Sequence, residues 1–285
     1  MAGEPSDDWT IRVMTRPDLD LAIDWAAAEG WNPGLGDVEC FHAADPGGFL
    51  VGSLGTEPVA SISVVRYGGA FGFLGLYIVR PDRRGQGFGH RLWQAGMDRL
   101  ANRLVGLDGV VAQQDNYRRS GFALAHRNIR FGGIPHLEAP RDAGLRPVKP
   151  EIVDAVLAYD RPFFPAPRDT FLRCWLRPEA RKAVALVRDG GVEGYGVVRA
   201  CRSGFKIGPL FADGEHEADL LFRALASEAK GDAVFLDLPE PNAAAHRLAA
   251  RHGLSAVFET ARMYRGETPD LPLPRIYGIS TFELG

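Results

Sequence analysis

The chain has 285 residues, enough for two domains of common size, and its 46% hydrophobic and 24% charged residues are an ordinary globular balance. A formal net charge of −3 provides no overall basic field, which argues against nucleic-acid or anionic-lipid partners. No apolar run approaches the roughly twenty residues needed to span a bilayer. The segment Met1–Asp8 is acidic and polar, unlike a signal or transit peptide. Three cysteines, Cys40, Cys174 and Cys201, are far apart and odd in number. They predict neither a disulfide framework nor a metal site, only small buried side chains in a cytoplasmic protein.

In chain order, Ile11–Met14 reads as a short strand stopped by Pro17, and Asp18–Glu29 carries helical periodicity through Leu19, Ala22, Ile23 and Ala26. Trp31–Gly36 breaks that helix with Pro33 and Gly34, and a second short helix is expected from Asp37 to about His42. Phe49–Ser53, Val59–Val65 and Phe73–Val79 read as strands. Trp93, Met97, Leu100 and Leu104 then fall on one face of a helix. Val105–Gln113 is β-capable, Asp115 or Asn116 could cap a short helix, Gly121 ends it, and Leu124–Phe131 is a further strand.

The stretch Val79–His90 organises this half. Pro81 ends the strand because it has no N–H to give a ladder, and Gly85, Gly87 and Gly89 free the backbone to curl around a ligand. Strand, glycine-rich turn and helix start together make an anion site, where unpaired N–H groups and the positive end of the helix dipole face outward. Arg80, Arg83, Arg84 and Arg91 suit a ligand carrying several phosphates. The spacing excludes the GxxxxGK[ST] triphosphatase loop and fails the GxGxxG dinucleotide fingerprint, which speaks against a nucleotide-binding interaction domain.

Beyond the break at Gly132–Pro140 the pattern restarts. Leu145–Val148 answers Ile11–Met14 at an offset of 145 − 11 = 134, and Gly253 answers Gly121 at 253 − 121 = 132. Between them come helices at Glu151–Tyr159 and Arg168–Leu176, then strands at Ala183–Arg188, Glu193–Ala200 and Phe205–Phe211. A helix through Ala218, Leu221, Phe222 and Leu225, the strand Val234–Leu238 and a helix after Asn242 follow. Two concordant offsets predict a duplicated domain, divided as 1–140 and 141–285.

Arg84-x-x-Gly87-x-Gly89, behind a strand ending in Val79-x-Pro81, resembles the acyl-CoA pyrophosphate loop of the GNAT N-acetyltransferase superfamily. Tyr117 and Gly121-Phe122 resemble the end of that family's late helix. The second half keeps the helix frame in Asn242, Ala245, Leu248, Gly253 and Leu254, but Ala249 stands at the tyrosine position. It also lacks the phosphate loop, with Glu215, Glu217 and Asp219 at the corresponding helix start.

The resemblance implies an α/β (α+β) fold of two tandem GNAT-like domains, each a mixed, mostly antiparallel sheet flanked by helices. It implies acetyl transfer from acetyl-CoA, as co-substrate and without a metal, to the amine of a small molecule. By carry-over, backbone of Leu76, Tyr77, Ile78 and Val79 would meet the pantetheine arm and polarise the thioester. Arg84, Gly85, Gln86, Gly87, Phe88, Gly89 and His90 would hold the pyrophosphate. Tyr117 would return a proton to the leaving thiolate.

The strand before the loop lacks the Glu that many relatives use as base, so Asp37, Glu39, Asp115 and water remain open for that role. Trp31, Asn32 and Phe41 would border the acceptor, and Gln113 and Gln114 could hydrogen-bond substrate. His42, His126 and His136 read as structural or surface residues. The alternative is a non-catalytic acyl-CoA sensor. The pairing of two domains in one chain is compatible with a monomer or a homodimer.

Overall fold

The computed structural model describes residues 8–285, so nearly all of the opening acidic segment read above lies outside it. In the first half the elements are β1 (Trp9–Val13), α1 (Arg16–Ala28), α2 (Asp37–Ala44), β2 (Phe49–Leu54), β3 (Glu57–Tyr67) and β4 (Phe71–Val79). They continue as α3 (Phe88–Arg99), β5 (Leu104–Val110), α4 (Gln114–Arg119) and β6 (Ala123–Gly133). The second half repeats the series with β7 (Leu145–Pro147), α5 (Pro150–Asp160), α6 (Asp169–Trp175), β8 (Arg181–Arg188), β9 (Gly191–Ala200) and β10 (Phe205–Ala212). It ends with α7 (Glu215–Ala226), β11 (Val234–Pro239), α8 (Ala243–Arg251), β12 (Ser255–Arg265) and a short β13 (Ile276–Gly278).

Local chemistry explains the main boundaries. Gly121 at φ +86° and Gly253 at φ +72° end α4 and α8 in the left-handed conformation that glycine adopts freely. Asn242 caps α8, its side-chain oxygen accepting from the Ala244 and Ala245 N–H groups at 3.0 and 3.1 Å. Helix α3 buries Leu92, Trp93, Gly96 and Met97. Gly96 lets it lie close on β3, since an added Cβ would come within 3.0 Å of Val64.

The thirteen strands of the described residues join one sheet, in the order β1-β2-β3-β4-β5-β12-β6-β11-β10-β9-β8-β7, with β13 against β10. Strands pair antiparallel except for β4 with β5 and β10 with β11. The order reads the same from either end once the halves are interchanged, as a duplicated chain folding about an internal two-fold requires.

The centre holds a feature absent from the sequence reading. Each half gives its last long strand to the other. β12 pairs with β5 (Thr260 opposite Val110 through Arg265 opposite Val105), while β6 pairs with β11 (Val234 opposite Gly133 through Pro239 opposite Asn128). β6 and β12 then pair with each other. Two buried ion pairs fasten the exchange: Arg262 on β12 to Asp108 on β5, and Arg130 on β6 to Asp237 on β11, each at 2.6 Å. A core cluster drawing on both halves, including Phe41, Phe73, Trp175 and Phe211, fills one face.

The cysteine expectation needs correction. Cys40 on α2 and Cys174 on α6 form a disulfide, and only Cys201 is a free, buried thiol. Their separation of 174 − 40 = 134 is the repeat offset itself. Residues far apart in sequence meet because α2 and α6 are equivalent helices packed across the two-fold. No helix among the described residues is long and apolar enough to cross a membrane.

Candidate active site

β4 pairs with β5 only from Phe71–Leu74 opposite Leu104–Leu107, and beyond that the strands part. The parting has a local cause. Leu76 sits at φ +45°, uncommon for a residue with a Cβ, and the β3–β4 register shifts between Ser61 and Ser63. The Ser61 hydroxyl donates to the Leu76 carbonyl at 2.8 Å and holds the kink.

The wedge opens into a cleft of about 370 Å³. Gly75, Leu76, Tyr77, Ile78 and Val79 form one wall, and Leu107, Asp108, Gly109 and Val110 form the other. Trp31, Arg84, Gln113, Tyr117, Phe258, Phe282 and Glu283 also line it. Backbone groups on the freed edge of β4 thus face a cleft instead of a strand.

At the mouth, the turn from Arg84 to Gly87 is exposed, with Gly85 at φ +76° and Gly87 at φ +86° as the residue before α3. Nothing lies within 4 Å of a Cβ built on either glycine, so backbone conformation, not crowding, requires them. Gly89 is needed for space: an added Cβ would lie 2.7 Å from the Tyr77 hydroxyl. Phe88 turns inward and stacks on Trp9 with ring centroids 4.9 Å apart, while Gln86 and His90 stay exposed. The first N–H groups of a twelve-residue helix point out through this turn.

The arginine cluster is less free than its sequence suggests. Arg80 pairs with Glu57 and Asp82, Arg83 with Glu57, and Arg84 with Glu29 while its Nε donates to the Val79 carbonyl at 2.9 Å. Arg91 lies over the Trp9 ring at 5.4 Å. Carboxylates close in sequence or across the mouth thus pair with Arg80, Arg83 and Arg84.

Tyr117 reaches the cleft from α4, stacked on Trp93 at 5.7 Å and lying on the bare backbone of Gly109. Burial pushes its phenol well above the ordinary value, which favours the neutral hydroxyl. The same cause lifts the Tyr77 hydroxyl to about 12.

Of the expected acceptor residues, Trp31 and Gln113 line the cleft. Phe41 belongs to the core, and Asn32 exchanges two hydrogen bonds with the Ser203 backbone. None of the three carboxylates considered as base faces the cleft. Asp37 is fully buried, tied to Arg199 at 3.1 Å and to the Gly34 N–H at 2.9 Å. Glu39 is exposed near Arg177, and Asp115 is exposed against Arg118. His126 is half-buried and held neutral, its value lowered to about 4 by burial and by Arg262.

Three other carboxyl residues do line the cleft: Glu29, Asp108 and Glu283. Glu29 is committed to Arg84. Asp108 accepts from Arg262 Nε and Nη2 at 2.8 and 2.6 Å, and from Asn128 at 2.8 Å. Glu283, 2% exposed, has two buried carboxyl oxygens with no hydrogen-bond partner among the described residues. Phe282 and Glu283 carry no motif, and nothing in the sequence marks them as site residues.

The second half has the equivalent wedge, but it is filled. β10 leaves β11 after Ile207 opposite Leu236, and β13 takes the gap, with Gly278 opposite Leu210 and Ile276 opposite Phe211. The Ile279 N–H donates to the Asp237 carbonyl at 2.8 Å, and Asn242 Nδ2 donates to the Ile276 carbonyl at 2.8 Å. Ala249 is fully buried where the first half presents a tyrosine. Residues 279–285 then run across to the first half, where the Glu283 carbonyl lies against Gly75 and Leu284 accepts from the Tyr67 hydroxyl at 3.1 Å.

Known proteins share sequence and fold with this chain. Two family models match, the acetyltransferase (GNAT) family over residues 16–123 and an acetyltransferase (GNAT) domain over residues 156–278. The chain is 33% identical over 278 residues to holothin acyltransferase from Pseudoalteromonas sp. (strain SANK 73390), covering 97% of this chain and 95% of that one. Among solved structures, a candidate acetyltransferase from Pyrococcus horikoshii superposes with a TM-score of 0.82 at 23% identity, covering 100% of this chain and 99% of that one. A tandem GNAT protein of the clavulanic acid biosynthesis pathway superposes at 0.61 with 14% identity, covering 92% and 100%. The chain belongs to the GNAT acyltransferase superfamily and carries two of its domains in tandem.

Proposed function

We propose that the first half binds acetyl-CoA and passes its acetyl group directly to the amine of a small molecule, while the second half carries no reacting centre. The observation carrying this reading is the wedge between β4 and β5, which opens beside a glycine turn at a helix start in one half and is plugged by β13 in the other.

The residues fit the ligand. The freed edge of β4 offers Leu76, Tyr77, Ile78 and Val79 backbone to an extended amide-bearing arm, as an added strand would be held. The turn from Arg84 to His90 offers N–H groups and a helix dipole to a pyrophosphate. Bound acetyl-CoA supplies the activated acyl group. An N–H near Leu76 stabilises the charge that develops on the thioester oxygen. Tyr117, neutral in its buried position, gives a proton to the departing thiolate. Phe258 and Phe282 give the acceptor side an apolar wall.

The test joins binding to turnover. CoA and acetyl-CoA should raise the melting temperature, and acetyl-CoA with a panel of amines should release thiol. Holothin, the acceptor in the relative's name, is the first to assay. A protein stabilised by CoA yet silent on every amine would instead be an acyl-CoA sensor, and one indifferent to CoA would overturn the reading.

A further inference from the structure

Acyl transfer to an amine needs a group that takes a proton from the acceptor ammonium. On the acetyl-transfer reading above, we propose that this group is the carboxyl of Glu283, delivered to the first half's cleft by the same closing segment that plugs the second half's.

The placement is specific. Glu283 shares the cleft with Leu76 and Tyr117, the residues flanking the expected thioester. Glu29 and Asp108 are spoken for by arginines, which leaves Glu283 as the cleft carboxyl without a protein partner among the described residues. An unpaired buried carboxyl is expensive to keep, so its retention points to a ligand that completes it. A cationic amine is the complementary ligand. Gly75 permits the approach, because a side chain there would collide with the Glu283 carbonyl oxygen.

The surrounding charges set the working range. Burial raises the Glu283 carboxyl above its ordinary value, and Asp37 on α2 adds to the rise. Lys206 on β10, Arg130 on β6 and Arg199 on β9 oppose it, with Arg130 partly neutralised by Asp237 on β11. A raised carboxyl is a stronger base than one in water.

The step balances as follows. The ammonium gives one proton to the Glu283 carboxylate, and the freed lone pair forms the C–N bond to the acetyl carbon. The C–S bond breaks, and the thiolate takes the Tyr117 proton. The surplus proton on the new amide nitrogen restores Tyr117, and Glu283 releases its proton to solvent.

The experiment compares the full chain with Glu283→Gln and Glu283→Asp. Glu283→Gln should keep its CoA-induced thermal shift and lose about 100-fold or more in kcat, the usual scale for a missing general base. The wild-type kcat should fall on the acid side with a midpoint above the ordinary carboxylate range. That limb should vanish in Glu283→Gln and persist, displaced to lower pH, in Glu283→Asp. Retained activity in Glu283→Gln overturns the proposal, and so does a uniform loss with the acid limb unchanged. Loss of the CoA shift in wild type would indict the acetyl-CoA reading instead. If Glu283→Gln does not fold, the displaced limb of Glu283→Asp decides alone.

Discussion

Arg262 on β12 grips Asp108 on β5 with two hydrogen bonds, at 2.8 and 2.6 Å, and thereby ties a strand of the second half into the wall of the first half's cleft. Removing the arginine leaves a buried carboxylate without its partner. Arg262→Met should cost about 3–5 kcal/mol, whereas the double change to Leu at both positions should cost less. Denaturant midpoints of the two variants check the order.

Tyr117 stands in the cleft as a neutral phenol, so its hydroxyl should matter to turnover and not to binding. Tyr117→Phe should lower kcat about 100-fold with the CoA thermal shift intact. Steady-state kinetics beside thermal shift separates the two effects.

Gly87 occupies the left-handed region with open space around it, so Gly87→Ala adds strain without a clash. It should destabilise the fold by roughly 1 kcal/mol and weaken CoA binding. Weakened binding with the same fold is checked by calorimetry and far-UV dichroism.

The Cys40–Cys174 bond closes a loop of nearly half the chain across the two-fold. Reduction, or Cys40→Ser, should lower stability by about 2–5 kcal/mol. A thiol titration in denaturant should find one reactive cysteine before reduction and three after it.

His126 carries a pH dependence of stability. Its value is lowered from 6.5 to about 4 in the fold, so the unfolded chain takes up its proton first. Its contribution is complete above pH 6.5 and is lost as pH falls towards 4. Replacing it with Gln should flatten that part of the stability curve, as urea midpoints at several pH values would register.

Features fixed by local chemistry were legible in the chain. The glycine turn at Arg84–Gly89 demands positive φ, the Asn242 cap and the end glycines mark helices, and the repeat offset places the second half. Partner choice was not legible. β6 and β12 carry the same pattern whichever half they pair with, so their exchange is invisible in periodicity. β12 corresponds to β6 at the repeat offset, 255 − 123 = 132, but its interior Glu259 and Arg262 obscure the strand. None of Asp37, Glu39 and Asp115 lines the cleft, and the lining carboxyl without a hydrogen-bond partner among the described residues belongs to residue 283, nearly two hundred positions after the loop (283 − 89 = 194). The arginines near the loop promised phosphate contacts, yet Glu29, Glu57 and Asp82 had already paired with three of them.

The central claim is one acyl-CoA site per chain, in the first half. Calorimetric titration of the full chain with acetyl-CoA tests it most directly. A stoichiometry of one, with the affinity weakened in Gly87→Ala, is the predicted result; two sites per chain, or none, would contradict it.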